Sequence, residues 1–310
     1  MATISEIIEE KTRLTVNGQF DFPSWTATIQ RLIGEIEDSI THRPLIVYAA
    51  DITKSHPAAP NLIYPLDKTM FSELLDSVTV GDGIDILIQS PGGLAESAEN
   101  LVEMIRSKFA SVRYFVPHTA KSAATMMVCS GDEIWMDNTS ELGPIDPQIF
   151  VPKGSGMMVQ VPAQAYLDGF QEALELIEKK GVLSPGWIPV LSQVDVATMN
   201  VCKTAKDLSN KLVRQWLIQY MLKGDAQRRV KARKIVEFLG SYKKHKSHGR
   251  AISLSQARTV GLNVQDFGSN APLRDKVREL YNRIELTFDG MRWVKLFISR
   301  SYFVGKLVPG

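Results

Sequence analysis

The run Ile84-Asp85-Ile86-Leu87-Ile88-Gln89-Ser90-Pro91-Gly92-Gly93 constrains the fold of this chain more than any other segment. Its first six residues read as a buried strand. Pro-Gly-Gly ends that strand, and a helix opens at Leu94. Two adjacent glycines after a strand can take positive φ and turn backbone N–H groups into a cleft. A second sharp strand-to-helix junction follows at Lys121-Ser122-Ala123-Ala124. A serine there could be an ordinary N-cap. It could also be a nucleophile, with the free N–H groups and the positive end of the helix dipole beside it. If the two junctions meet in space, they supply a serine nucleophile and two oxyanion donors, the N–H groups of Gly93 and Ala123. That combination predicts acyl transfer, most simply peptide hydrolysis.

The surrounding pattern predicts the scaffold. Leu45–Ala50, Ile84–Gln89, Val112–Val116 and Glu133–Met136 read as strands. They alternate with helices at Phe71–Val78, Leu94–Lys108 and Ser122–Cys129. Such alternation means crossover units and a mostly parallel sheet, and its irregular order argues against a closed eightfold barrel. Ahead of it, Ile4–Leu14 and Ser24–Ile40 read as amphipathic helices. Beyond Pro147 the chain turns helical, at Ala163–Lys180, Thr204–Leu222, Ala226–Leu239, Ser253–Val260 and Leu273–Phe288, with Pro185 and Pro189 breaking it between the first two. The expected organisation is a helical segment over residues 1–42, an α/β core over 43–150 and a helix-rich region over 151–310.

The formal net charge of +2 gives no global argument for a nucleic-acid partner. Cys129 and Cys202 are too far apart for a metal motif and make no disulfide framework, which fits a reducing compartment. The first eleven residues are acidic without an apolar run, and no window reaches the roughly 18 apolar residues of a membrane span. A cytoplasmic protein is expected. No phosphate-binding Gly-x-x-x-x-Gly-Lys-Ser/Thr run occurs, so unfolding power would have to come from a separate partner.

Gln89-Ser90-Pro91-Gly92-Gly93 resembles the strand-turn signature of the superfamily of Clp proteases and signal peptide peptidase A, built on the crotonase-like ββα spiral. Ser122, opening a helix of small residues, resembles that superfamily's nucleophile. Leu142-Gly143-Pro144-Ile145-Asp146-Pro147-Gln148 narrows the resemblance to the serine dehydrogenase proteinase branch. Gly249-Arg250-Ala251-Ile252-Ser253, Gln256-Ala257 and Gly261-Leu262 are similar to a late element of the peptidase A relatives, so the resemblance covers about Leu45 to Val264. It implies an α/β fold with a crotonase-like core and a helix-rich C-terminal half. The implied activity is that of a serine peptidase on unfolded proteins or peptides, without a cofactor or metal, in a homo-oligomer whose C-terminal region completes the core and mediates assembly.

A serine nucleophile needs a base. The resemblance to Clp proteases implies a histidine on the strand after the serine's helix, yet Asn138–Gln148 contains none. The resemblance to the peptidase A branch implies a serine paired with a lysine instead of a Ser-His-Asp triad. Lys153, Lys179, Lys180, Lys203 and Lys206 lie downstream, and Lys203 is favoured because Val201, Cys202 and Ala205 suggest partial burial. Lys121 neighbours the serine but diverges from it on the helix start. His248, before the Gly-Arg element, is the other candidate base, whereas His118 reads as structural. Asp146 forms a turn before Pro147 or orients a base. Gln227–Arg250 holds nine Lys or Arg residues against Glu237 alone, which reads as a solvated face. Two competing readings are an inactive family member serving as a scaffold or adaptor, and a crotonase-type acyl-CoA enzyme.

Overall fold

In β3 (Leu45–Ala50) all six residues are buried, and the two sides of the strand belong to different cores. Ile46 and Tyr48 face one, while Leu45, Val47 and Ala49 face the other. A strand apolar on both sides sits inside a sheet covered on both faces, the normal setting of parallel strands. The computed structural model describes residues 2–55, 60–79, 81–152, 157–180, 188, 195–289 and 292–307.

The chain begins with α1 (Ile4–Arg13), started by a capping box between Thr3 and Glu6. A small hairpin follows, β1 (Thr15–Val16) and β2 (Gln19–Phe20), joined by Asn17 and Gly18 at positive φ, and then α2 (Phe22–Ile36). After β3 come α3 (Asp67–Asp76), β4 (Gly83–Gln89), α4 (Ala95–Lys108), β5 (Ser111–Phe115), β6 (Thr119–Ala120), α5 (Ala123–Val128), β7 (Glu133–Met136) and β8 (Glu141–Leu142). Next are β9 (Gln148–Pro152), β10 (Met158–Pro162), α6 (Ala163–Lys180), α7 (Val196–Gln219), α8 (Arg228–Leu239), α9 (Tyr242–His245) and α10 (Leu254–Val260). The last elements are β11 (Val264–Asp266), α11 (Ala271–Phe288), β12 (Trp293–Ile298) and β13 (Phe303–Leu307).

The main sheet has seven strands in the order β11-β7-β5-β4-β3-β12-β13. From β11 to β3 the pairings are parallel, and β12 and β13 add an antiparallel pair. A second, much shorter layer stands at the C-terminal ends of the parallel strands. Its pairings are Ile63 with Gly93, Ser90 with Ala120, β6 with β8, and Leu142 with Ile252. The same unit thus recurs: a long strand, a short strand and a helix. It runs β3–Ile63–α3, then β4–Gly93–α4, then β5–β6–α5, and begins again in β7–β8. Helices α3, α4, α5, α7 and α8 pack on one face of the sheet, and α1, α2 and α11 on the other.

Most expected strands and helices occur within a few residues of their predicted bounds. The chief difference is that β11, β12 and β13, all beyond residue 260, belong to the main sheet, so the α/β core does not stop near residue 150. The reason is visible in β12. Lys295 interrupts its apolar run, yet that lysine is fully buried and ion-paired with Asp67. Helix α7 starts eight residues earlier than expected, where Asp195 caps it by accepting from the Thr198 N–H. Pro185, Pro189, Pro57 and Lys153 lie outside the described residues.

Candidate active site

The short second layer brings the two junctions together. Ser90 N–H donates to the Thr119 carbonyl at 3.0 Å, and Lys121 N–H donates to the Ser90 carbonyl at 3.0 Å. The end of β4 is thereby locked beside the approach to Ser122. Ser90 Oγ accepts from Gly92 N–H at 3.1 Å and closes the turn. On the other side, Ile63 N–H donates to the Gly92 carbonyl at 2.7 Å, and Leu94 N–H donates to the Ile63 carbonyl at 3.0 Å. This parallel bridge turns the Gly93 N–H away from Ile63.

Both glycines are required by conformation and by space. Gly92 has φ 108° and Gly93 φ 154°. A Cβ on Gly92 would lie 2.7 Å from Ser122 Cβ and 3.3 Å from the Ala123 nitrogen. A Cβ on Gly93 would lie 2.3 Å from the Ile63 oxygen. The glycine turn therefore rests directly against the serine junction.

Ser122 sits at φ 50° and ψ −119°, outside even the left-handed helical well, and its side chain makes no cap bond to α5. Such a backbone costs about 1–3 kcal/mol and is held by its surroundings. The ordinary capping role open to this serine is thus not made. Among the described residues, no protein acceptor takes the N–H of Gly93 or of Ala123. A serine hydroxyl and two available N–H donors are gathered at one junction, which is the equipment acyl transfer needs. Cys129 is buried and its thiol pushed up to about 12 by that burial, so it offers no competing nucleophile.

The candidate bases separate clearly. Lys121 is held by the Glu141 carboxylate at 2.7 Å and the Leu142 carbonyl at 3.2 Å. Lys203 is exposed on α7; Cys202 beside it is buried but Val201 is 57% exposed, so the burial expected around this lysine is absent. Lys179 is exposed too, and Lys206 donates to Gln164 Oε1 at 2.5 Å. His118 stacks on Tyr281 with ring centroids 5.8 Å apart.

His248 differs from all of these. Its Nδ1 lies 2.9 Å from Asp146 Oδ1, with the carboxylate buried and the imidazole about a quarter exposed. An ionised carboxylate only accepts, so Nδ1 carries a proton, and it is the neutral imidazole of this tautomer whose Nε2 has a free lone pair. Gln148 Nε2 donates to the other Asp146 oxygen at 3.3 Å. The pairing is set up by backbone: Leu142 and Ile252 exchange N–H···O bonds of 3.0 and 2.9 Å, which lays residues 248–252 along 142–146. Thr125 ties this unit to the helix of Ser122, since its Oγ1 donates to the Ala120 carbonyl at 2.6 Å and accepts from Gly143 N–H at 2.9 Å. Sequence reasoning missed Thr125; the signal was one hydroxyl inside the otherwise small and apolar helix Ala-Ala-Thr-Met-Met-Val.

Residues 75–180 match the family model of ClpP-like, SDH-type serine proteinases. Two uncharacterized proteins of Methanocaldococcus jannaschii are 28% and 26% identical to this chain over 203 and 208 residues, each covering 66% of it. The chain spans 58% and 56% of the length of those relatives. Among solved structures, ClpP1 from Listeria monocytogenes aligns with 76% of this chain and 94% of its own, at 12% identity and a TM-score of 0.38.

Proposed function

We propose that this chain is a serine peptidase on a crotonase-like ββα core, with Ser122 as nucleophile and His248, oriented by Asp146, as general base. The observation that carries the reading is the Gly92–Gly93 turn packed against Ser122, whose backbone is held at φ 50° and ψ −119° without a cap bond. In the proposed reaction Ser122 Oγ attacks the scissile carbonyl as His248 Nε2 takes its proton. The N–H groups of Gly93 and Ala123 stabilise the tetrahedral oxyanion, a donor of this kind being worth about 10²–10³-fold in kcat. The imidazolium, stabilised by Asp146, gives its proton to the leaving amine, and water then hydrolyses the acyl-enzyme with His248 again as base. This replaces the serine–lysine pair expected from the sequence, because Lys203 is exposed and Lys121 is engaged by Glu141.

Extended, unfolded peptides are the proposed substrates. Leu62, Tyr64, Leu66 and Leu94 flank the Ile63–Gly93 junction and are 40–61% exposed, an apolar margin for a bound chain. Assembly into a homo-oligomer and supply of chains by a separate unfoldase belong to the same proposal. Cytoplasmic action is also part of it; among the described residues no helix is long and apolar enough to cross a membrane.

Degradation of an unfolded model protein by wild type, Ser122→Ala and His248→Gln tests the reading. Wild type is expected to cleave, Ser122→Ala to be inactive, and His248→Gln to fall by about 10²–10⁴-fold in kcat. Full activity of His248→Gln would remove the base assignment alone. Cleavage by Ser122→Ala would remove the nucleophile. An inert wild type that binds CoA thioesters would favour the acyl-CoA alternative, and one that binds neither class of ligand would favour a scaffold.

A further inference from the structure

A buried ionic cluster lies one strand away from the candidate oxyanion donors and takes no part in the chemistry proposed above. At its centre, Asp67 of α3 is fully buried. Lys295 of β12, also fully buried, places Nζ 2.8 Å from both Asp67 oxygens. Lys306 of β13 reaches Oδ1 at 2.6 Å, and the Tyr48 hydroxyl donates to Oδ2 at 2.6 Å. Burial pushes the Lys295 ammonium down to about 8, against the pull of Asp67. Burial, with the Asp67 carboxylate beside it, pushes the Tyr48 hydroxyl up, so that hydroxyl remains a donor.

Taking these charges out of water is costly, and apolar side chains of like volume often serve stability as well. What the cluster adds is a set of directional bonds to one short segment. Lys295 Nζ donates to the Leu62 carbonyl at 2.5 Å. Tyr64 N–H donates to Asp67 Oδ2 at 3.1 Å, and Asp67 N–H donates to the Tyr64 carbonyl at 2.9 Å. Residues 62 and 64 are thus fixed on either side of Ile63. Ile63 in turn holds the Gly92 carbonyl at 2.7 Å and the Leu94 N–H at 3.0 Å, on either side of Gly93. The bonds run without a gap from β12 to the peptide that presents the Gly93 N–H.

We propose that Lys295 and Asp67 are positioning residues of the oxyanion hole, fixing the direction of the Gly93 N–H through the segment 62–64. The inference rests on the peptidase reading. Oxyanion stabilisation falls steeply with misplacement, and a displacement of about 1 Å can cost about 10²-fold in rate.

The test compares wild type with Lys295→Met and with the milder Tyr48→Phe in two measurements. The first is amide hydrogen exchange, which needs no activity. Faster exchange at Ile63 and Leu94 is expected in Lys295→Met, with the amides of Val47 and Ile86 in the central sheet as protected as in wild type. The second is steady-state cleavage of a peptide together with the rate of Ser122 labelling by a fluorophosphonate. A fall in kcat of about 10–10²-fold is expected at nearly unchanged KM, with labelling slowed in step and Tyr48→Phe smaller in the same direction. If Lys295→Met does not fold, Tyr48→Phe decides alone. Exchange that rises evenly over the sheet, or does not rise at Ile63 and Leu94, overturns the proposal, as does an unchanged kcat alongside locally faster exchange. If wild type neither cleaves nor labels at Ser122, the peptidase reading fails; local exchange at Ile63 and Leu94 then still upholds or removes the clamp.

Discussion

Gly92 is the residue at which sequence, conformation and proposed chemistry meet most directly. Its φ of 108° is a conformation that L side chains rarely adopt, and a Cβ there would sit 2.7 Å from Ser122 Cβ and 2.8 Å from the Lys121 carbonyl. Neither neighbour can yield cheaply, one being backbone and the other a strained junction. Gly92→Ala is therefore expected to cost about 1–3 kcal/mol of stability. It should also lower kcat by about 10²-fold or more, because the turn and Ser122 must part to admit the methyl. Urea unfolding and peptide cleavage on one preparation separate the two effects; a variant that loses stability yet keeps wild-type kcat would show that contact between the turns is not needed. At this scale Ser122, Gly92 and Gly93 were legible because residue type and local order carry their meaning. His248 and Asp146 were legible only as separate candidates. They lie 102 residues apart and meet through the Leu142–Ile252 bridge, which no local pattern announces.

Among elements, the long strands were readable from their apolar runs, and α4 from its helical stripe. The short strands were not. β6 and β8 hold two residues each, too few for any periodicity, although they align the site. β12 was hidden for the opposite reason, since Lys295 makes it read as amphipathic while tertiary pairing buries it. Helix α5 gives the sharpest test at this scale. Thr125 uses its hydroxyl twice, towards the Ala120 carbonyl and from the Gly143 N–H, and is fully buried. Thr125→Val keeps the shape and strands both backbone groups, at about 1–3 kcal/mol for each buried group left unpaired. A lower urea midpoint is expected, with a loss of kcat exceeding any rise in KM as the segment leading to Asp146 loses its tie to the helix of Ser122. An unchanged midpoint would mean that another donor and acceptor replace the threonine.

The whole molecule encloses its sheet between two helical layers, but β9 and β10 stand apart from that core. They form a separate two-stranded sheet, with Phe150 paired opposite Gln160 and Met158 opposite Pro152. Ile149, with Val151 and Val161 beside it, packs on Ala163 and Cys202 in a small cluster of its own. Phe150, Met157 and Met158 are 55–63% exposed. Two strands alone are marginal in water, and their open edges and apolar surface favour further pairing. If the chain assembles as proposed, the same hairpin of a second copy would add strands here and cover these side chains at once. Sedimentation of wild type at micromolar concentration is expected to give a multiple of the 34.6 kDa chain mass. Phe150→Asp combined with Met158→Asp should shift it towards a single chain, because two carboxylates desolvated without partners oppose association. A wild type sedimenting as one chain would end the assembly reading without touching Ser122. An oligomer indifferent to the two aspartates would move the interface off the hairpin.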